Sequence, residues 1–141
     1  MMAYGLANYK SDLIAAVASV SGTMLNCTGP TSHPMPVVHL HGTSDAVVSY
    51  NGSNDWNSVQ STLDYWTSFN NTISTPTINT DNTGGMTIEH YSYEQGDNSV
   101  SVEHYKYIGG DHVWFNEPYQ GQNASELVWN FMSKYDINGL R

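Results

Sequence analysis

Cysteine is almost missing from this chain. Its 141 residues include one, Cys27, so no disulfide can close within it. A single cysteine reads either as a free or formerly paired thiol or as a small buried side chain. Positive charge is nearly as scarce. Four Lys and Arg stand against 13 Asp and Glu, for a net charge of −9. Such a surface repels phosphate backbones and anionic lipid headgroups, which argues against nucleic acid and membrane surfaces as partners. No apolar run reaches the length of a transmembrane helix. The start has no basic region followed by a cleavage-type site, so no signal peptide is read, and any export signal belongs upstream of Met1. Internal repeats and long linkers are also lacking.

What remains is a chain that is 39% hydrophobic, sufficient for one core, with a length that suits one domain. Asn, Ser and Thr are plentiful and Lys is rare, a composition common among exported acidic proteins. The Asn-x-Ser/Thr triplets at Asn26, Asn51, Asn70 and Asn123 are expected by chance at this composition.

The pattern alternates between helix and strand. Met1 to Lys10 reads as a helix from the spacing of Met2, Ala3, Leu6 and Ala7. "LIAAVASVSG" reads as a short buried strand, and "PVVHLHG" as a second, β-branched and bounded by Pro and Gly. Continuous apolar character marks a parallel strand covered on both faces. Trp56, Val59, Leu63, Trp66 and Phe69 form one stripe, predicting a helix from Asn54 to about Asn70 capped by Ser53, Asn54 or Asp55. Residues 71–85 read as a polar connection. "MTIEHYSYE" and "VSVEHYKYI" alternate with period two around "QGDNS" and predict a pair of strands. Asn123 and Glu126 form a capping pair for a last helix with Leu127, Val128, Phe131, Met132 and Tyr135 on its apolar face, stopped by Asn138-Gly139. Helices alternating with buried strands predict a layered α/β sheet. The opening helix has no strand before it, so the sheet reads as one incomplete domain spanning 1–141.

Working residues in such sheets sit beyond the carboxyl ends of the strands. Two loops there carry suitable groups: Asp45 after "PVVHLHG" and His112 after "VEHYKYIGG", with Gly109-Gly110 permitting a sharp turn. A carboxylate that accepts from one ring N–H fixes the tautomer and leaves the other nitrogen free to take a proton. Taken singly, each has a plainer reading, Asp45 as a turn residue and His112 as a packed or surface histidine.

Three stretches together resemble the α/β-hydrolase esterases of the polyhydroxybutyrate depolymerase and feruloyl or acetylxylan esterase type. "HGTSDAVVSY" is similar to their H-G-T-x-D-x-x-V-x-Y segment and "GGDHVWF" to their G-G-x-H-x-W segment. "MMAYGLA" through "SDLIAAVASVSG" resembles the helix and strand that follow their G-x-S-x-G-G nucleophile motif. The resemblance implies a partial α/β-hydrolase fold, the C-terminal half of the sheet with its flanking helices, or one completed by oligomerisation. It implies Asp45 as the acid, His112 as the general base, and Trp114 and Tyr50 near the substrate pocket. The nucleophilic Ser is expected shortly before Met1, so the chain alone is expected to be inactive or very weak. The implied activity is hydrolysis of carboxylic esters, in polyesters or acylated or feruloylated polysaccharides, by a secreted protein needing neither cofactor nor metal. The alternative is a non-catalytic remnant or binding module held together by dimerisation over an exposed sheet edge.

Other constellations read as structural. Ser21 and Ser44 lie near the proposed edge, but neither sits on a strand–turn–helix elbow. His39 and His41 share a strand face and, with His112 or Asp45, have the residue types of a metal site; a packed histidine bonded to a carbonyl is preferred for His41. His90 and His104 are expected to be cross-strand neighbours. Glu89 and Glu103 lack the spacing of a glycosidase pair. Trp56 and Trp66 read as core.

Overall fold

The computed structural model describes residues 1–26 and 28–141, so the readings of Cys27 lie outside the described residues. The chain forms α1 (Met2–Tyr9), a 3-10 turn (Ser11–Leu13), β1 (Val17–Val20), β2 (Val37–Gly42), α2 (Val59–Phe69), β3 (Thr77–Asp81), β4 (Ile88–Tyr93), a second 3-10 turn (Asp97–Ser99), β5 (Val102–Tyr107) and α3 (Ala124–Met132). It ends in two short strands, β6 (Tyr135–Asp136) and β7 (Gly139–Leu140). Five strands form one mixed sheet in the order β1-β2-β5-β4-β3. β1, β2 and β5 run parallel, while β4 and β3 add antiparallel strands beyond β5. The architecture is the α/β sheet expected from the alternating pattern.

β2 lies between two parallel neighbours, and all six of its residues are buried. Its side chains divide between two cores. Val38 and Leu40 join Ile88, Tyr105 and Tyr107 under Leu127 and Phe131 of α3. Val37 joins Val17, Val102 and Tyr93 under Tyr4 and Ala7 of α1 and Val59, Leu63 and Trp66 of α2. His39 and His41 alternate with Val38 and Leu40, so they point toward the α1 and α2 side.

Several sequence expectations shift in detail. α2 begins at Val59 and its cap is Ser58, whose side chain accepts from Ser61 N–H. Residues 53–55 are instead held in a turn, where Ser53 Oγ accepts from Asp55 N–H at 3.0 Å, and Asn57 N–H bonds Met24 O. Trp56 therefore precedes the helix, while Trp66 is fully buried as expected. The polar connection contains β3, an outer strand exposed at four of its five positions, which buries too little to leave an alternating signal. The capping box at Asn123 and Glu126 forms as expected. Tyr135 lies beyond α3, in β6, with its hydroxyl bonded to Ser101. His90 pairs with Tyr105 and His104 with Tyr91, so the two histidines lie on opposite faces rather than side by side. Glu89 and Glu103 divide between the two faces in the same way.

The start of β2 is fixed by one buried amide. Asn70, which caps the end of α2, accepts from Met35 N–H and donates to Met35 O, both at 2.7 Å. Replacing it with Ala strands two buried backbone groups. Asn70→Ala should lower the unfolding free energy by about 2–6 kcal/mol, measured by urea denaturation, because each unsatisfied group costs about 1–3 kcal/mol. A loss below about 0.5 kcal/mol would show that water satisfies both groups.

Candidate functional site

β1, β2 and β5 run parallel, so their carboxyl ends meet on one edge of the sheet. There the loops after β2 and β5 touch through backbone. A Cβ on Gly42 would lie 2.1 Å from the Gly110 carbonyl oxygen, so only glycine fits. Thr43 N–H bonds Tyr107 O and Ser44 N–H bonds Gly110 O, both at 2.9 Å. Gly109 N–H donates to Thr43 Oγ1 at 2.8 Å. Gly109 takes φ +77°, the left-handed conformation that turns the chain toward His112. Asp111 Oδ1 then accepts from His112 N–H at 2.7 Å and from Ala46 N–H at 3.3 Å, bridging the loops.

This lacing brings Asp45 and His112 together, with His112 Nδ1 2.9 Å from Asp45 Oδ2. Asp45 is 6% exposed, and its Oδ1 accepts from Val47 N–H at 2.9 Å and Val48 N–H at 2.7 Å. Burial alone pushes this carboxyl up, but the Val48, His112 and Val47 hydrogen bonds outweigh it and hold it below the usual range. An ionised carboxylate only accepts, so His112 Nδ1 carries a proton, and in the neutral ring Nε2 holds the lone pair. The His112 side chain is 38% exposed. A partly exposed imidazole with its tautomer fixed from behind suits proton transfer.

Behind Asp45 lies a buried polar row. His41 Nε2 is 2.8 Å from Val48 O and 3.3 Å from Asp45 Oδ2. Its Nδ1 is 3.2 Å from His39 Nε2, and their rings stack at 5.3 Å and 4°. His39 Nδ1 bonds the Tyr4 hydroxyl of α1. A carbonyl can only accept, so Val48 O makes His41 the Nε2–H tautomer. His39 must then donate through Nε2, and Tyr4 must donate to His39 Nδ1. His104 follows the same logic in a side branch. Its Nδ1 donates to His39 O at 2.8 Å, so its Nε2 accepts from Tyr50 at 2.9 Å. Burial, more than the neighbouring histidines, pushes His39 well below its usual value; it also lowers His41, and it takes His104 to about 3.

The other residues singled out from sequence are placed as follows. Trp114 is 54% exposed, two residues from His112, with Nε1–H donating to Ser125 Oγ at 3.0 Å. Tyr50 sits behind the acid loop, edge-on to His41 and bonded to His104, so its hydroxyl is already engaged. Ser21 Oγ donates to Val113 O at 2.8 Å. His41 does bond a carbonyl, and its Nδ1 lone pair is used by His39, which leaves neither nitrogen for a metal. Among the described residues no group of three His, Cys, Asp or Glu converges on a metal position. No described helix is long and apolar enough to cross a membrane. Sequence reading passed over Asp111, Gly42 and Tyr4. Asp111 and Gly42 each adjoin a residue that was singled out, His112 and His41, whereas nothing local marks Tyr4.

No protein-family model matches the chain, and no curated protein matches it.

The buried histidines set an acid limit on the fold. Each is neutral when folded and free to protonate when unfolded, so stability falls as pH drops below the ordinary imidazole value near 6.5. Each contributes up to about 1.4 kcal/mol per pH unit. Asp45, held low, adds a further loss once pH falls below about 4. Urea midpoints should therefore be steady from pH 8 to 7 and fall steeply from pH 6 to 4.5, less steeply in His104→Gln. A midpoint unchanged between pH 7 and 5 would contradict the burial of neutral histidines.

Proposed function

We propose that the protein is a carboxylic ester hydrolase of the acyl-enzyme type, in which Asp45 orients His112 and His112 moves the proton. The observation that carries this reading is the 2.9 Å bond from His112 Nδ1 to a buried, doubly anchored Asp45 carboxylate at the carboxyl edge of three parallel strands. The resemblance of the Asp45 and His112 segments and of the opening stretch to the α/β-hydrolase esterases supports the same assignment. The fold is then the C-terminal half of such a sheet.

The nucleophile in this reading is a serine carried by polypeptide entering α1. A Cβ on Gly22, at the carboxyl end of β1, would lie 3.1 Å from Met1 N, so chain leading into α1 arrives on the edge that bears Asp45 and His112. His112 Nε2 takes the proton as the serine oxygen bonds to the ester carbonyl carbon. It then returns that proton to the departing alcohol, and water releases the acid by the same two steps. Trp114, broad and exposed beside His112, offers a face to the substrate's acyl or sugar part. Polyesters and acylated or feruloylated polysaccharides are the substrate classes proposed, for an exported protein.

A second reading, a non-catalytic module assembled through its sheet edge, is favoured by one observation. β1 is an outer strand, and Ala3, Leu6, Ile14, Val17, Ala18 and Met132 line an apolar groove of about 220 Å³. p-Nitrophenyl acetate hydrolysis separates the two. A polypeptide extended upstream of Met1 should hydrolyse the ester, the 141-residue chain should not, and His112→Ala should lower kcat of the extended form about 10²–10⁴-fold. An inactive extended form would defeat the hydrolase reading. His112-dependent activity in the short chain would defeat the upstream serine. Size-exclusion with light scattering giving a monomer would defeat the second reading.

A further inference from the structure

We propose that His41 is a positioning residue that sets Asp45 by holding the turn around it, and that His39 anchors His41 in turn to Tyr4 of α1. The catalytic consequence rests on the ester-hydrolase reading; the structural role does not.

The geometry is a closed set of constraints. Val48 is held from both sides: its N–H bonds Asp45 Oδ1 at 2.7 Å, and its carbonyl accepts from His41 Nε2–H at 2.8 Å. Asp45 therefore hangs from the N–H of a residue whose carbonyl is fixed by His41. The same Nε2–H lies 3.3 Å from Asp45 Oδ2, the oxygen that receives His112. His41 lies on the rigid, fully buried β2, so it references the loop to the sheet. His39, two residues earlier, ties this point to Tyr4, and α1 is thereby referenced to the same strand. Polypeptide entering α1 and the turn that carries Asp45 are fixed relative to each other through three side chains. A histidine that merely filled space would need neither tautomer nor direction.

Two variants divide the ring. Gln places an amide N–H near the imidazole Nε2 and can still reach Val48 O. Asn places its polar atoms near Nδ1, so it can meet His39 but falls short of Val48. The reporter in the 141-residue protein is the His112 Nδ1 proton, followed by long-range ¹H–¹⁵N NMR. In His41→Asn this proton should exchange with water about tenfold faster or more, since a lost buried hydrogen bond raises local opening by that factor. In His41→Gln it should stay close to the unmodified rate. Exchange of β2 and β5 amides reports whether each variant remains folded. Equal effects of Asn and Gln, or no effect of Asn, would overturn the proposal. The unmodified protein gives a test that needs no variant, because His41 must be the Nε2–H tautomer, and an Nδ1–H tautomer would also overturn it. In an extended, ester-hydrolysing form, His41→Asn should lower kcat about 10–100-fold at unchanged KM, with recovery in His41→Gln. If the NMR results hold while the extended form hydrolyses no ester, the positioning role stands and the hydrolase reading falls.

Discussion

The meeting of Gly42 and Gly110 is the constraint on which the rest of the site depends. Two backbones come closer there than any side chain would permit, and four backbone N–H groups from the two loops bond across the gap. Asp45 and His112 are 67 positions apart in the chain. Each loop supplies one member of the pair, and Asp45 is anchored within its own loop by Val47 and Val48 N–H. The contact makes one rigid body of the two loops, and the parallel strands below give it a fixed base. A methyl group at position 42 would disturb the site by driving against the Gly110 and Asp111 carbonyls.

The second organising feature is polar. One face of the sheet buries His39, His41 and His104 where aliphatic residues would ordinarily sit. Burying polar groups is costly unless each is partnered. Here each ring nitrogen has a partner, and all the partners follow from two backbone carbonyls, Val48 O and His39 O. The arrangement sacrifices stability in acid for a side-chain network with a single hydrogen-bond pattern. Such networks specify one core packing when complete.

Much of this was legible in the sequence because the relevant signals are local. β2 announces itself through a Pro boundary, β-branched residues and a terminal Gly, and α3 through the Asn123–Glu126 box. The strand-end positions of Asp45 and His112 follow from placing those strands. What was hidden depends on distance. Tyr4 and His39 are 35 positions apart, and no spacing rule connects them. β3 is exposed nearly throughout, so its pairing with β4 leaves no hydrophobic trace. The sequence places the start of α2 too early because Trp56 continues the apolar stripe beyond the helix, while the boundary is the Ser58 cap, just after Asn57 N–H turns away to Met24 O. Tyr50 fits the motif of the Asp45 loop, yet its neighbours His41 and His104 come from β2 and β5.

The row from Tyr4 to Val48 also has an electrical direction. Tyr4 donates to His39, His39 to His41, and His41 to Val48, so every O–H and N–H bond dipole along it points the same way. Aligned dipoles add, as they do along a helix, and the positive end of this row arrives 3.3 Å from Asp45 Oδ2. The carboxylate thus sits at the positive terminus of a small side-chain macrodipole assembled from neutral groups. It gains a field from neutral groups that favours its ionised form, in a chain with few lysines and arginines.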